Sequence, residues 1–192
     1  GNLGNILDFD TLTKENIYVL NTPILSNSQF IKFINFFGNN SSVIDCTFSG
    51  EENLYDAIER IKKESEIEVR QGKTQLILSD KELTFKKLPI PMLLCVGAIN
   101  TFLTEKKLRG YVSINVQSGE ALDTHSFATL IGVGATTVNP YLAFDSLHQR
   151  YEKKLFGQYS FDDCVQRYIK SVNAGLLKIM SKMGISVLSS YR

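Results

Sequence analysis

The sequence predicts an α/β fold built from alternating strand–helix units around a mainly parallel sheet. From residue 42 onward, short apolar runs alternate with longer segments of helical periodicity. Repeated β-helix-β units of this kind favour parallel strands joined by right-handed crossovers. With 43% hydrophobic residues among 192, one domain of ordinary size can bury a core. Two closures fit the pattern, an open doubly wound sheet and a partial or rudimentary (β/α) barrel.

The first strand–helix unit begins after residue 41. Residues 42–48 (SVIDCTF) have the short apolar pattern of a buried strand. Ser49 stands three residues before Glu52, a spacing typical of the capping box that begins a helix. Gly72 ends that helix, and residues 74–79 (TQLILS) form the second predicted strand.

Two prolines mark the next unit. Pro89 and Pro91 stand at a helix entrance, where a missing backbone N–H costs nothing. The helix predicted at 92–107 is apolar around much of its circumference, so we expect it to be deeply packed. Gly110 is a suitable C-cap, and residues 111–116 (YVSINV) give the clearest strand pattern.

The second half of the chain repeats the alternation. Ser160 is placed to cap the last long helix, and Gly184 to end it. The predicted elements are, in order, a helix at 122–131, a strand at 135–138, a helix that opens at Pro140, a helix at 161–183 and a final strand at 185–188.

The first 40 residues have a different pattern from the rest. Residues 21–27 are typical of extended chain and turn, and residues 30–37 of a short aromatic helix. We therefore expect residues 1–41 to form an N-terminal wrapping segment of the same domain, and residues 42–192 to form its α/β core.

Charge and cysteine content exclude several classes of protein. Lys and Arg number 21, and Asp and Glu number 20. The chain therefore lacks the excess of basic residues that would predict nucleic-acid binding. No apolar run approaches the roughly 20 residues that span a bilayer. Cys46, Cys95 and Cys164 lie far apart, without the spacing of a metal site. We expect a soluble chain from a reducing compartment, either cytoplasm or plastid.

The glycine and acidic motifs do not define a catalytic site. Residues 132–134 (GVG) lack the third glycine of a dinucleotide loop and follow a helix rather than a strand, so they predict a helix stop and a tight turn. Asp45 and Asp80 lie in or just beyond strands, where we expect them to tie loops or cap helices. We assign no catalytic, cofactor-binding or metal-ligating residue.

One carboxylate–imidazole pair leaves two interpretations open. Residues 117–120 (QSGE) follow a strand at the edge where α/β folds place ligands, and His125 lies in the helix after them. Glu120 and His125 are expected to lie near one another. They could perform acid–base chemistry in a free-standing small-molecule-binding or catalytic domain, or they could form an interface or structural hydrogen bond.

Three long runs resemble a known family. They are residues 88–98 (LPIPMLLCVGA), residues 127–135 (FATLIGVGA) leading into 138–143 (VNPYLA), and residues 175–186 (GLLKIMSKMGIS) followed by 190–192 (SYR). Residues 4–7 (GNIL) and 20–27 fit the early part of the same domain. Together these runs resemble the central domain of the glutamate synthase large subunit, in order and over essentially the whole chain.

The resemblance implies a function for the chain within a larger enzyme. The parent would be an oxidoreductase with glutamine amidotransferase activity that carries FMN and a 3Fe-4S cluster, none bound by this segment. Ammonia from glutamine would travel inside the protein to 2-oxoglutarate at the flavin. The partners would be the amidotransferase and FMN-binding domains of the same polypeptide, with a reductase subunit or domain, and neither nucleic acid nor a membrane. This domain, a reduced version of the flavin barrel, would hold the catalytic domains in register.

A role in ammonia transfer points to loops rather than to a catalytic centre. An ammonia path needs packed, water-poor walls, because ammonia escapes or becomes protonated where the route is wet. We assign two stretches to interface or ammonia-path loops, the loop after the clearest strand and the chain's end. The assigned residues are Gln117, Ser118, Gly119, Glu120, His125, Ser189 and Tyr191.

Overall fold

The computed structural model describes residues 18–191. Residues 1–17 of the predicted wrapping segment, which include residues 4–7 of the family resemblance, lie outside the described residues. The division of the domain at residue 41 therefore stays a prediction.

The strands of the described chain form one parallel sheet and one small ribbon. In chain order they are β1 (Ser41–Asp45), β2 (Thr47–Ser49), β3 (Gln75–Ser79), β4 (Lys87–Pro89), β5 (Ser113–Gln117) and β6 (Thr137–Asn139). The sheet has the order β1-β3-β5-β6 with every pair parallel, and β2 pairs antiparallel with β4. Beyond β6, Ile24 makes an isolated parallel bridge to Val138. The predicted parallel α/β architecture is confirmed, and over residues 18–191 the sheet does not close into a barrel.

The helices place most of their apolar side chains against one face of this sheet. They are α1 (Asn27–Phe37), α2 (Leu54–Arg70), α3 (Met92–Glu105), α4 (Thr124–Gly132), α5 (Tyr141–Glu152) and α6 (Phe161–Lys182). Sequential crossovers through α2, α3 and α4 put these three helices on the same side. The main core there joins Leu76, Ile114 and Val138 of the strands to Ile61 of α2 and Ile99 of α3, all fully buried.

A smaller core lies on the opposite face of the sheet. Because side chains alternate along a strand, Ile77 points away from its neighbours Leu76 and Leu78. There it joins Leu25 with Phe30 and Phe33 of α1 in a second buried cluster. Helix α1 thus covers the face that would line the interior of a complete barrel.

The first predicted strand and its following cap were partly wrong. Residues 42–48 are not one strand, since the chain leaves the parallel sheet at Cys46 and β2 then pairs with β4. Asn53, rather than Ser49, caps α2, and its side chain accepts a hydrogen bond from the backbone N–H of Asp56. The sequence pattern also missed β4, which includes Pro89.

Two predicted chain features near helix ends were also wrong. Helix α3 ends at Glu105 with Lys106 as its C-cap, and Lys107 rather than Gly110 adopts the left-handed conformation, with φ of 58°. No final strand forms at 185–188, where the chain runs irregularly into a 3₁₀ turn at Leu188–Ser190. The bridge of Ile24 to Val138 already occupies the position beside β6, so that edge offers no place for another strand.

The remaining helices agree closely with the pattern. Helix α6 begins one residue after Ser160, whose hydroxyl accepts from the Asp163 N–H within a capping box. Gly184 ends the helix with φ of 71°, a conformation that costs glycine little.

Within residues 18–191 no helix has both the length and the apolar character needed to cross a membrane.

Substitution of Gly175 should test the close approach of α6 to α4. A Cβ at Gly175 would lie 2.6 Å from Thr124 Cγ2, and this β-branched side chain has little freedom to move. Gly175→Ala should therefore lower the free energy of unfolding by about 1–3 kcal/mol, measured by urea denaturation.

Gly97→Ala in α3 is the matched control, because a Cβ there meets nothing within 4 Å. Alanine favours a helix over glycine by about 1 kcal/mol, so this variant should be as stable as the original or more so. Equal stability of the two variants would contradict the packing of α6 on α4.

Candidate functional site

A row of buried polar side chains lies on the sheet face that α1 covers. Thr137 Oγ1 donates to Asn115 Oδ1 at 2.8 Å, and Asn115 Nδ2 donates to Gln75 Oε1 at 3.0 Å. All three side chains belong to buried residues, and they come from three adjacent strands. They therefore form a continuous hydrogen-bonded row across the middle of the sheet.

A second row lies one step nearer the carboxyl ends of the strands. Ser79 Oγ donates to Gln117 Oε1 at 2.9 Å, and Gln117 Nε2 donates to Asn139 Oδ1 at 3.2 Å. Asn139 Nδ2 then donates to the Leu25 carbonyl oxygen at 2.9 Å and to Asn27 Oδ1 at 3.0 Å. This row ties the sheet to the start of α1. We call the two rows together the polar ladder, formed by Gln75, Ser79, Asn115, Gln117, Thr137 and Asn139.

The loop after β5 is held by a buried carboxylate. Asp80 is only 1% exposed and accepts from Ser118 Oγ at 2.7 Å and from the Gly119 N–H at 3.1 Å. The predicted loop-tying role of Asp80 is confirmed. Burial, followed by the negative charge of Asp80, raises the pKa of Tyr141 above its ordinary value of 10.0. The phenol therefore stays neutral beside this carboxylate.

Gly119 lies where no larger residue fits without movement. A Cβ at this position would lie 2.6 Å from Leu142 Cδ1 and 3.2 Å from the Tyr141 hydroxyl oxygen. The start of α5 thus covers the loop after β5. The loop is tightly packed rather than open to a substrate.

Glu120 and His125 do not form the pair that one interpretation required. Glu120 Oε2 accepts from the Met92 N–H at 3.0 Å, at the start of α3, where Pro91 provides no side-chain cap. His125 is exposed on α4, and within residues 18–191 no hydrogen bond or ion pair joins it to Glu120. The carboxylate satisfies a free backbone N–H of α3, so it is not positioned as a partner for the imidazole.

The chain's end lies away from the loop after β5. Tyr191 packs against Gly132, where an added Cβ would lie 3.1 Å from the Tyr191 Cε1 atom. Gly132 ends α4, whereas residues 117–120 precede that helix, so the two stretches lie at its opposite ends. Ser189 lies in the 3₁₀ turn that precedes Tyr191.

The glycines at 132–134 form the predicted helix stop and turn. Gly134 has φ of 125°, and a Cβ there would lie 2.5 Å from Asn100 Oδ1. Arg109 donates to that same oxygen at 2.6 Å and to the Gly134 carbonyl oxygen at 2.9 Å. Sequence reasoning missed this role of Arg109, because its partners are far from it along the chain.

The described residues do not converge on a metal. Within residues 18–191 no group of three or more His, Cys, Asp or Glu side chains is placed to hold an ion. A hydrogen bond with the Cys95 thiol, followed by burial, raises the pKa of Cys46 well above its ordinary value of 9.0. That this segment binds no cofactor stays a prediction.

Breaking the polar ladder should destabilise the sheet. Asn115→Leu would leave Gln75 and Thr137 without their buried partner, at a cost of about 1–3 kcal/mol in the free energy of unfolding. Urea denaturation measures this difference. Adding Thr137→Val should recover part of the loss, because it removes one of the unsatisfied groups. Full stability of Asn115→Leu alone would show that the ladder contributes nothing.

Acid should weaken the contact that anchors the β2–β4 ribbon. Burial by itself raises the pKa of Asp45, but hydrogen bonds from Thr47 and Lys87 outweigh it and hold the pKa below 3.8. A carboxyl group with a lowered pKa stabilises the folded state above its unfolded pKa, and this contribution disappears as the pH falls through the folded value. The unfolding temperature of Asp45→Asn should therefore lie below that of the original chain near neutral pH, and the two should converge below pH 3.8.

The Lys87→Met background is the control for this effect. Lys87 Nζ lies 3.1 Å from Asp45 Oδ2, so removing the amine should reduce the difference that Asp45→Asn makes near neutral pH. A difference that persists unchanged into acid would show that Asp45 acts through its shape rather than its charge.

Comparison with known proteins identifies the family. A family model described as glutamate synthase central domain matches residues 1–192. The large chain of an NADPH glutamate synthase from Azospirillum brasilense is 46% identical over 195 residues, which cover all of this chain and 13% of the relative. The corresponding large chain from Bacillus subtilis is 43% identical over 175 residues, covering 90% of this chain and 11% of the relative.

A more distant relative extends the same match to a different type of the enzyme. The chloroplastic ferredoxin-dependent glutamate synthase of Spinacia oleracea is 33% identical over 206 residues, which cover all of this chain and 13% of the relative. This chain thus spans a small part of each of these relatives, yet it matches the model of one domain from end to end. The chain belongs to the glutamate synthase central domain family.

Proposed function

We propose that this domain links the glutamine amidotransferase domain of a glutamate synthase to its FMN-binding domain and helps to wall the path of ammonia between them. The parent would form glutamate from glutamine and 2-oxoglutarate. Its FMN and 3Fe-4S cluster would belong to other domains, and its electrons would come through a reductase subunit or domain. The enzyme would work in cytoplasm or plastid.

The observation that carries this proposal is the outward face of α3. Leu93 and Leu94 are 45% and 43% exposed although they begin a helix that is otherwise packed on the sheet. Gly97, Ala98 and Phe102 continue this apolar surface into a groove of about 640 Å³ beside α2. Lys62 and Glu105 also line this groove. Exposed leucines beside a largely apolar groove are typical of a protein–protein or interdomain contact.

Helix α2 shows what a solvent-facing helix of this chain looks like. Beyond Tyr55 its outer side is mainly charged apart from Ile67, and its ion pairs include Arg60 Nε with Glu52 at 3.0 Å and Arg70 Nη2 with Glu66 at 2.7 Å. Helix α3 has no charged residue before Glu105, its last residue. The contrast between neighbouring helices favours a covered α3, since both otherwise pack on the same face of the sheet.

The loop after β5 suits a wall of the ammonia path. Its polar groups are used in hydrogen bonds to Asp80 and α3, and Leu142 covers Gly119. A wall with few free donors and little room for water would limit loss and protonation of ammonia. We retain Gln117, Ser118, Gly119 and Glu120 in this role. We propose three further residues as interface residues. His125 is exposed on α4. Ser189 and Tyr191 belong to the chain's end, which lies away from that loop.

A charge on the α3 face should uncouple the parent enzyme. In the full-length chain, Leu94→Lys would require a buried ammonium group at the proposed contact, which is unfavourable without a partner. We expect more glutamine to be hydrolysed per 2-oxoglutarate consumed than in the unmodified enzyme. Glutaminase activity and glutamate formation from added ammonium should both persist, because the catalytic domains are unchanged.

Ile67→Lys provides the control for the Leu94 variant. Ile67 is 53% exposed on α2 and lies among charged residues of that helix, so the added amine should remain hydrated and coupling should be unchanged. If Leu94→Lys also leaves coupling unchanged, the α3 face does not contact a catalytic domain and the linking role loses its support.

A further inference from the structure

An exposed arm projects between β3 and β4. We define the arm as residues 81–87, all but the last of them exposed. At its tip the Thr84 N–H donates to the Lys87 carbonyl oxygen at 3.4 Å, and the Lys87 N–H donates to the Thr84 carbonyl oxygen at 3.1 Å. This pairing leaves Phe85 and Lys86 as the two central residues of a tight turn.

The residues of the turn are not those that tight turns favour. Central turn positions normally carry Gly, Asn, Asp, Ser or Pro, which adopt the required backbone conformations or bond locally. Here an aromatic side chain stands at the apex, and Phe85 is completely exposed at 110% of its reference area. Departures from local rules are expected at functional sites, and a fully exposed aromatic ring is stabilised when it is buried in an apolar pocket.

The base of the arm is held firmly to the domain. β4 pairs with β2, and Lys87 Nζ lies 3.1 Å from Asp45 Oδ2. Immediately beyond β4, the Ile90 N–H donates to the Cys46 carbonyl oxygen at 2.8 Å. A ring presented on a fixed base loses little conformational freedom on binding.

The arm's charges indicate the surroundings that its ring would enter. Lys81 and Lys86 are exposed, and within residues 18–191 neither forms an ion pair. Glu82 is the one acidic residue of the arm, and Lys87 is already paired with Asp45. The tip therefore carries an excess of positive charge around an apolar centre. Its complement is an apolar pocket, wide enough for one ring, with carboxylates at its rim.

We propose that Phe85 inserts into such a pocket on another domain of the same polypeptide. This inference rests on the linking function proposed above and names one of its contacts. The matched region is only 13% of the Azospirillum brasilense relative, so most of a parent chain lies outside this domain. Covalent linkage gives neighbouring domains a high effective concentration, so a single anchored ring can suffice for a contact too small to hold separate proteins.

The test uses trypsin on the intact full-length parent chain. Trypsin cuts after exposed lysines, and the arm offers Lys81, Lys86 and Lys87. If the arm is seated on another domain, it should resist cleavage in the unmodified enzyme. Phe85→Ala should raise the rate of cleavage within the arm by at least about tenfold, the change expected when an aromatic anchor is lost. Because Phe85 is completely exposed, removing its ring breaks no contact within residues 18–191 that would explain this increase.

Tyr111→Ala is the matched control. Tyr111 is also a largely exposed aromatic residue, at 67%. It precedes β5, so it lies where the parallel strands begin, whereas the arm follows the end of β3. Cleavage of the arm should be as slow in this variant as in the unmodified enzyme. Rapid cleavage in the unmodified enzyme, or equal rates with and without Phe85, would overturn the proposal. Protection that disappears on dilution would assign the pocket to a second copy and would also overturn it.

The two proposals can fail separately. A protected arm with normal coupling in Leu94→Lys would support the seating of Phe85 and count against the linking role of α3. An arm cleaved equally in all variants, with uncoupling in Leu94→Lys, would remove the Phe85 contact and leave the proposed function in place.

Discussion

The need to satisfy buried polar groups controls the rest of this structure. Five of the six residues of the polar ladder are buried. Each ladder side chain is hydrogen-bonded to one on an adjacent strand, and Asn139 is also bonded to the chain at the start of α1. An unpaired polar group at such a depth costs about 1–3 kcal/mol, so the ladder fixes both the strand register and the position of α1.

The ladder also explains why the two faces of the sheet differ. On one face, crossovers through α2, α3 and α4 supply apolar side chains that form the larger core. On the other, among residues 18–191, α1 and the chain just before it cover the sheet, through Leu25 and Phe30. An open sheet with helices on one side exposes its inner face to water. In this chain the segment around α1 covers that inner face, whereas in a closed barrel the closure of the sheet itself shields it from water.

The sequence predicted the repeated units well because periodicity reports burial directly. Helix α6 and its Ser160 cap follow from apolar spacing and a local motif, and the parallel order follows from the alternation of elements. The errors arose where distant residues decide. Whether residues 185–188 form a strand depends on Ile24, which occupies the edge beside β6. The candidate pair of Glu120 and His125 failed because the start of α3 takes the carboxylate.

The polar ladder could have been recognised from alternation alone, which suggests how related domains can be examined. Asn115 and Gln117 stand two apart on β5, as do Thr137 and Asn139 on β6, so each pair points to one face of its strand. Amides and hydroxyls in that pattern can satisfy one another across strands, whereas carboxylates and imidazoles at the same places could not remain neutral and fully paired. A strand set of this composition favours a structural face over a catalytic one. The chemistry of such a domain must then be sought at its outer surfaces, where Leu93 and Leu94 of α3 and Phe85 of the arm are exposed.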